Sequence, residues 1–239
     1  MSIQSAHDEP SSPDARSRLR NAFYAAQHGR LKRQTFLDAL ENEDPEVRLE
    51  AVQMLGQIGA SWAIESLGER LDDEESYVRN EVIFALSSIG RPAVVPWLIK
   101  ALRDEDEERV EDARVALIQV LGDPVAPILA QFGEGTGGEA VRAAEWWKSE
   151  SWRYNDGTVY HRGEPASLAV WVATLRGASD AGLHAIAERL KCWTGQDFGS
   201  PSSPGFADRW EGWWGERGAE FQPGRRYFYG RPVDESDLK

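Results

Sequence analysis

The sequence predicts an all-α protein, a right-handed α-α superhelix of stacked two-helix units with an α-rich C-terminal extension that contains a small β-hairpin. The main observation is a period of 31 residues in the apolar residues between positions 31 and 132. A second observation is that glycines and acidic clusters recur at the same period, where helices would end and begin. Two-helix units of this kind cannot bury their apolar faces alone, so they stack on one another.

Five columns of apolar residues share this period, and together they predict a continuous core. The columns are Phe36, Leu67, Leu98 and Leu129; Leu40, Leu71 and Leu102; Ala51, Val82 and Ala113; Leu55, Leu86 and Leu117; and Ile58, Ile89 and Val120. Five columns in register are difficult to obtain by chance, so we treat the repeat as the organising feature of the chain.

The composition divides the chain into four parts. We expect residues 1–12 to be disordered, because they are polar, acidic and proline-containing without any apolar period. Residues 13–132 are expected to form the superhelix with an N-terminal capping helix. A glycine-rich connection is predicted at residues 133–138, and the Trp-rich C-terminal extension at residues 139–239.

Each predicted helix has a recognisable start and end. Ser12 is expected to cap the first helix with Pro13 in its first turn, and Gly29 to end it. Asp44 and Pro45 mark the start of the next unit's second helix in the same way. The predicted first helices of the units are 33–41, 63–71, 93–102 and 125–132, and the second helices are 45–58, 76–89 and 107–121. Glycines follow the second helices at positions 59, 90 and, one residue late, 122.

Two of these segments resemble a known family. The stretch DPEVRLEAVQMLGQIG at residues 44–59 resembles the second half of a HEAT repeat of the phycobilisome-lyase-like kind, and residues 76–90 resemble it nearly as closely. The third copy departs from the pattern, because Arg109-Val110 inverts the order of valine and arginine. The resemblance implies an adaptor that binds other proteins, since HEAT-repeat proteins mostly have that role.

The same resemblance implies a ladder of ion pairs between neighbouring units. In this sequence the ladder maps onto Asp73 and Asp104 as acids and Arg48 and Arg79 as bases. We expect the ladder to stop at both ends of the array, because Asn42 and Val110 stand where the pattern has an aspartate and an arginine.

The C-terminal extension has a composition of its own, rich in tryptophan. Alternation around Asp156-Gly157 predicts a β-hairpin over 152–160, and Glu164-Pro165 is expected to open a helix that reaches Arg176. Ser179 is expected to cap the following helix. We predict core positions for Trp210 and Trp214, with Trp213 partly exposed.

A second resemblance rests on the extension. The segment TGQDFG at residues 194–199, followed by WEGWW at residues 210–214, resembles the C-terminal element of bacterial HEAT-repeat proteins without an assigned activity. This resemblance implies kinship with bacterial proteins and indicates no chemistry.

Composition argues against several classes of function. The formal net charge of −13 disfavours binding to nucleic-acid phosphates or to anionic membrane surfaces. No stretch approaches the roughly 18 apolar residues of a membrane span, and the polar start of the sequence does not look like a signal peptide. We therefore expect a cytoplasmic protein that binds neither nucleic acid nor membrane.

We expect no catalytic, cofactor or metal site. The four histidines are isolated from one another in the sequence. Cys192 is the only cysteine, and we interpret it as a half-buried packing thiol. Gly133, Gly135 and Gly138 satisfy the letters of a dinucleotide-binding motif, but a helix and not a strand precedes them. We therefore interpret this stretch as a connection between domains.

The face of the second helices that lies opposite the core is the predicted partner-binding surface. The residues of this surface are Leu49, Gln53, Phe84, Val115 and Ile118, flanked by an acidic border of Glu50, Glu81 and Asp112. Exposed apolar residues in a line suggest a protein partner that presents an apolar helix or basic side chains. The alternative is that the Trp-rich extension folds back and covers this line.

These features of the sequence predict a non-catalytic protein–protein interaction scaffold. An enzyme subunit of the bilin-lyase type is an alternative, implied only by the resemblance of the repeats to the phycobilisome-lyase-like kind. A nucleic-acid-binding HEAT protein is a further alternative, disfavoured by Glu50, Glu81 and Asp112 where a basic groove would be needed.

Overall fold

The computed structural model describes residues 14–130 and 138–233. These residues form a stack of paired helices followed by an extension with a core of its own. The helices of the stack are α1 (Ala15–Gln27), α2 (Arg33–Leu40), α3 (Pro45–Ile58), α4 (Ile64–Glu69), α5 (Ser76–Ile89), α6 (Val95–Ala101), α7 (Glu107–Leu121) and α8 (Ala126–Leu129). The bounds of α3, α5 and α7 confirm the prediction for all three second helices. Short 3₁₀ segments lead into α4 and α6 at Ser61–Ala63 and Pro92–Val94.

The remaining elements belong to the C-terminal part of the chain. They are the helices α9 (Gly138–Glu150), α10 (Leu168–Thr174), α11 (Asp180–Thr194) and α12 (Phe206–Arg217), and the strands β1 (Tyr160–His161), β2 (Glu164–Pro165), β3 (Tyr227–Phe228) and β4 (Arg231–Pro232). The strands pair as two separate antiparallel hairpins, β1 with β2 and β3 with β4. The predicted all-α superhelix with a small hairpin is confirmed, and a second hairpin is added to it. None of the described helices has the length and apolar character needed to cross a membrane.

Local chemistry explains why the second helices begin and end where they do. Asp44 accepts a hydrogen bond from the Glu46 backbone N–H at 2.9 Å, with Pro45 in the first turn. Gly59 and Gly90 then end α3 and α5 in the left-handed conformation, which glycine adopts without steric cost. At the start of α1 the cap is Asp14, which accepts from the Ser17 N–H, so the prediction of Ser12 as the cap is wrong.

The predicted columns form one continuous core. Ala51, Val82 and Ala113 have no exposed surface, and the equivalent leucines Leu55 and Leu86 are equally buried. Helix α9 joins this core through Ala140 and Ala143 and packs on α6 and α8, although the sequence assigns it to the extension. Residues 1–12 and 133–137, where a disordered terminus and a glycine-rich connection are predicted, lie outside the described residues.

Ion pairs tie neighbouring units together on the side of the acidic turns. Arg48 binds Asp73 of the next unit through two hydrogen bonds of 2.8 Å, as the family resemblance implies. The second rung differs, because Asp104 is bound by Arg109 at 2.7 Å. Arg79 instead donates to the backbone oxygens of Asp73 and Glu74 at 2.6 and 3.1 Å. The inverted Arg109-Val110 order places Arg109 beside Asp104 of its own unit, so a pair within the third unit replaces the Arg79–Asp104 pair that the resemblance implies.

The first hairpin lies later in the chain than the sequence predicts. Residues 151–153 form a 3₁₀ turn, Asp156-Gly157 lies in a loop, and β1 and β2 are joined by Arg162 and Gly163, both at positive φ (54° and 80°). Glu164-Pro165 is strand β2 and opens no helix, which begins only at Leu168. The reason is tertiary, because the backbone N–H groups of Arg162 and Gly163 bind the end of α7 and hold the turn there.

The extension has an aromatic core that is separate from the core of the stack. Trp171, Trp193 and Trp210 are buried in it, with Trp213 and Trp214 partly buried beside them. The core position predicted for Trp210 is therefore confirmed, whereas Trp214 is only half-buried, like Trp213. Edge-to-face contacts such as Trp171–Trp193, with ring centroids 4.8 Å apart, stabilise this arrangement.

Candidate functional site

The extension docks on the C-terminal ends of the three second helices of the stack. Arg226 donates to the backbone oxygens of Gly56 and Ile58 at 3.3 Å each, and also to that of Gln57, at the end of α3. The Tyr160 N–H donates to the Gly90 oxygen at 2.8 Å at the end of α5. The last carbonyl groups of a helix lack partners within the helix and carry partial negative charge, so these contacts satisfy them.

The end of α7 is satisfied in the same manner by a hairpin. The Arg162 and Gly163 N–H groups donate to the Gln119 and Val120 oxygens at 2.5 and 2.9 Å. The second hairpin repeats this arrangement within the extension, where the Tyr229 and Gly230 N–H groups donate to the last turn of α11, each at 2.8 Å. These contacts fix α11 beside the stack and so create a groove between them.

This groove is the candidate functional site, and its volume is about 490 Å³. The wall on the stack side includes Gln53 of α3 and Glu81 and Phe84 of α5. The opposite wall is α11, with Arg189, Cys192 and Trp193 facing the groove, and the second hairpin adds Arg226 and Tyr229. The volume lies within the range of about 300–1,000 Å³ that is typical of ligand pockets.

The structure places the predicted partner-binding residues partly in this groove and partly beyond it. Gln53, Glu81 and Phe84 line the groove, whereas Val115 lies beyond it on α7. Phe84 is 51% exposed and Val115 is 53% exposed. Leu49 and Ile118 are half-buried against the core of the stack. The extension therefore forms the facing wall and leaves Phe84 and Val115 uncovered.

The three carboxylates of the predicted acidic border differ in whether a cation is paired with them. Glu50 is paired with Arg16 and Arg20 of the capping helix α1, at 3.1 and 2.7 Å. Glu81 accepts a hydrogen bond of 3.4 Å from Gln53. Burial raises the pKa of Asp112, and the neighbouring acids, Glu108 first, raise it further. Within the described ranges neither Glu81 nor Asp112 has a lysine or arginine partner, so these two carboxylates are the available part of the border.

The inner end of the groove is basic and aromatic, which the sequence does not reveal. The guanidinium of Arg226 stacks over the Trp193 ring at 4.6 Å, and that of Arg189 over the Trp171 ring at 5.0 Å. Burial lowers the pKa of Arg226 to about 10, so it remains charged at neutral pH. His161 lies nearby, and burial first, then the charge of Arg189, lowers its pKa to about 4. No fixed sequence spacing joins these residues, because four separate elements bring them together: α10, α11 and the two hairpins.

Cys192 keeps the packing role predicted for it. Its Sγ atom lies 3.3 Å from the Gln57 backbone oxygen, and burial raises the pKa of the thiol. A thiol that is held protonated is a poor nucleophile. In the part of the chain that the structure describes, no three histidine, cysteine, aspartate or glutamate side chains are grouped so as to hold a metal ion.

One family model agrees with the repeats of the helical stack. Residues 33–119 match the family model described as HEAT repeats. Among solved structures, the crystal structure of an engineered protein from the Northeast Structural Genomics Consortium is similar at 20% identity, with a TM-score of 0.36, over 75% of this chain and 91% of that chain. No curated protein matches the chain. HEAT repeats generally serve as scaffolds for protein interactions.

Proposed function

We propose that this protein is a non-catalytic scaffold that binds a partner protein along its second helices. The observation that carries the proposal is the exposure of Phe84 and Val115, which occupy the same position on successive helices and are left open by the extension. An aligned pair of exposed apolar side chains on a rigid stack is a suitable site for an apolar element of another protein.

The charges beside these residues define the chemistry of the partner. Glu81 and Asp112 flank Phe84 and Val115 and have no cationic partner among the residues described. A partner helix with an apolar stripe and basic side chains beside it would therefore complement this surface, and a nucleic acid would be repelled by it. The acidic composition of the whole chain acts in the same direction.

The finer assignments are part of the same proposal. The phycobilisome-lyase-like subtype, the kinship of the C-terminal element and a bacterial origin rest on resemblance, whereas a cytoplasmic location rests on composition. A bilin-lyase-type role would require the groove to bind a tetrapyrrole. A bilin absorbance spectrum that shifts on addition of the protein would favour that alternative over the scaffold.

The proposal is tested by affinity capture followed by measurement with the purified partner. The test variant is Phe84→Asp with Val115→Asp, and the matched control is Val141→Asp with Val170→Asp, because these valines are similarly exposed at 50% and 56%. We expect the test variant to lose partners that the native protein and the control retain, with at least about a tenfold weaker Kd, since two desolvated apolar contacts are lost.

Two outcomes would contradict the scaffold proposal. One is an unchanged Kd in the Phe84→Asp and Val115→Asp variant, which would exclude this surface as the binding site. The other is the absence of any partner captured by the native protein above the level seen with the test variant. Circular dichroism and thermal unfolding of both variants would show that the comparison is made between folded proteins.

A further inference from the structure

We infer that the inner end of the groove is a binding site for an oxyanion, a carboxylate or a phosphate, held by the guanidinium of Arg189. Arg189 faces both the groove and a small inner cavity of about 20 Å³. This site shares the groove with the proposed partner surface. It does not depend on that proposal, because oxyanion binding is measured without any partner protein.

The guanidinium of Arg189 is partly buried without a polar partner among the residues described. Its guanidinium lies over the Trp171 ring, 5.0 Å from the centroid, and makes no hydrogen bond or ion pair within residues 14–130 and 138–233. Burial lowers the pKa of Arg189, which shows that the charge is held partly away from water. A desolvated guanidinium without a carboxylate costs free energy, which a bound anion would recover.

The other charged groups around the groove are already engaged or lie at its outer side. Arg226 donates its hydrogen bonds to the end of α3, and Lys191 is paired with Asp197 at 2.7 Å. Glu81 accepts from Gln53, and Glu188 is exposed to solvent. His161 is neutral near pH 7, since its pKa is lowered to about 4. Arg189 is therefore the charge that remains available at the inner end.

One further polar group at the inner end supports the assignment, the indole N–H of Trp193, which also borders the groove. The Ser87 hydroxyl and the Trp193 indole N–H are buried and have no hydrogen-bond partner in the part of the chain that is described. Both residues line the inner cavity. The inner cavity has the size of about one water molecule, so an oxyanion must lie on the groove side, beside Arg189 and Trp193.

The chemistry of the guanidinium defines the ligand class. Its planar fork donates two parallel hydrogen bonds to a carboxylate or a phosphate, and an ammonium group cannot reproduce that geometry. The carboxylates at the outer side of the groove would repel a ligand with several negative charges spread along it. We therefore assign a single oxyanion group on a small molecule or at one point of a larger ligand.

The test is a titration of the full-length ¹⁵N-labelled protein at pH 7 with inorganic phosphate, and separately with acetate, at constant ionic strength set by sodium chloride. The readouts are the Trp193 indole N–H and Arg189 Nε–H resonances, the former assigned with Trp193→Phe. We expect saturable shifts, and Arg189→Gln should weaken binding at least about tenfold, as expected for a charge-assisted hydrogen-bond pair. Saturation with phosphate alone, acetate alone or both identifies the oxyanion.

Two variants make the result specific to Arg189. Arg217→Gln removes the same charge from an exposed arginine that is paired with Glu220 and lies outside the groove, so it should bind as the native protein does. Arg189→Lys keeps the charge and loses the fork, so its affinity should fall between those of the native protein and Arg189→Gln, and it serves if Arg189→Gln fails to fold. No saturable shift with either anion, or equal affinity in all three variants, would overturn the inference.

Discussion

Arg226 and Ile58 are separated by 168 positions in the chain, yet the Nε atom of Arg226 lies 3.3 Å from the backbone oxygen of Ile58. This contact makes Arg226 a cap for helix α3 that is supplied by the distant hairpin β3–β4. A cation near a helix C-terminus interacts favourably with the partial negative charge of the last carbonyl groups. The extension is therefore held to the stack by hydrogen bonds at helix ends.

The first prediction concerns this cap. Arg226→Met should lower the free energy of unfolding by roughly 2–4 kcal/mol, because three carbonyl oxygens at the end of α3 lose a buried charged donor. Urea unfolding followed by circular dichroism measures the loss. Arg217→Met is the control, since this exposed arginine is paired at the surface with Glu220 and its replacement should leave stability nearly unchanged. Equal stability of the two variants would show that Arg226 is not a cap.

The repeat could be predicted from the sequence because it is local and periodic. Ala51, Val82 and Ala113 recur at one spacing, and the bounds of the second helices followed from Asp44 and the glycines. The hairpins could not be placed in this way. Arg162 takes a positive φ because its N–H docks on α7, a contact that no local pattern records.

The second prediction concerns the glycine that faces the first hairpin. Gly122 has φ 76° and ψ −162°, a conformation that is essentially restricted to glycine, and a Cβ atom there would lie 2.2 Å from the Arg162 oxygen. Gly122→Ala should therefore destabilise the protein by more than about 2 kcal/mol, through backbone strain and the displaced hairpin. Thermal unfolding measures the effect.

Gly212 provides the matched control for Gly122. It lies inside helix α12, and a Cβ atom added there would meet no neighbouring atom within 4 Å, so Gly212→Ala should stabilise the protein by about 0.5–1 kcal/mol. No loss of stability in Gly122→Ala would contradict the contact between the hairpin and α7. A loss in Gly212→Ala would contradict the open surroundings of Gly212 on α12.

The third prediction concerns the buried ion pair between the first two units. Asp73→Asn should cost about 3–5 kcal/mol, because it removes the buried counter-charge of the Arg48 guanidinium, which keeps its pair with the exposed Glu74 at 3.1 Å. Burial by itself would raise the pKa of Asp73, but hydrogen bonds from Arg48 and the Glu75 N–H outweigh it, and the pKa is lowered. The contribution of Asp73 is therefore present at neutral pH and is lost as the pH falls through its lowered pKa.

Urea unfolding at pH 7 and in acid tests both parts of this prediction. The difference between native protein and Asp73→Asn should be large at pH 7 and should shrink in acid. The neighbouring Asp72 is the control, because it is 72% exposed and its partner Lys100 is also exposed, so Asp72→Asn should change stability by less than about 1 kcal/mol at either pH. A pH-independent difference for Asp73 would exclude an electrostatic origin.

Only part of the candidate site could be predicted from the sequence. Phe84 and Val115 could be selected because exposure on a helix follows from its period. Arg189 could not be recognised, because its surroundings are made by the packing of Trp171 from α10 and Trp193 from its own helix against the stack. Because these residues come from separate elements, no recognisable motif of fixed spacing joins them in the sequence.

The final prediction links His161 to Arg189. Burial, followed by the charges of Arg189 and Arg162, lowers the pKa of His161 to about 4, so the native state binds fewer protons than the unfolded state between about pH 4 and the ordinary histidine value near 6.5. Stability should therefore decrease as the pH falls through this window. Arg189→Gln should raise the pKa of His161, because one repelling charge is removed, and Arg217→Gln should leave it unchanged. Titration of the His161 ring by NMR measures the pKa in each variant, and an ordinary value in the native protein would show that the ring is neither buried nor close to Arg189.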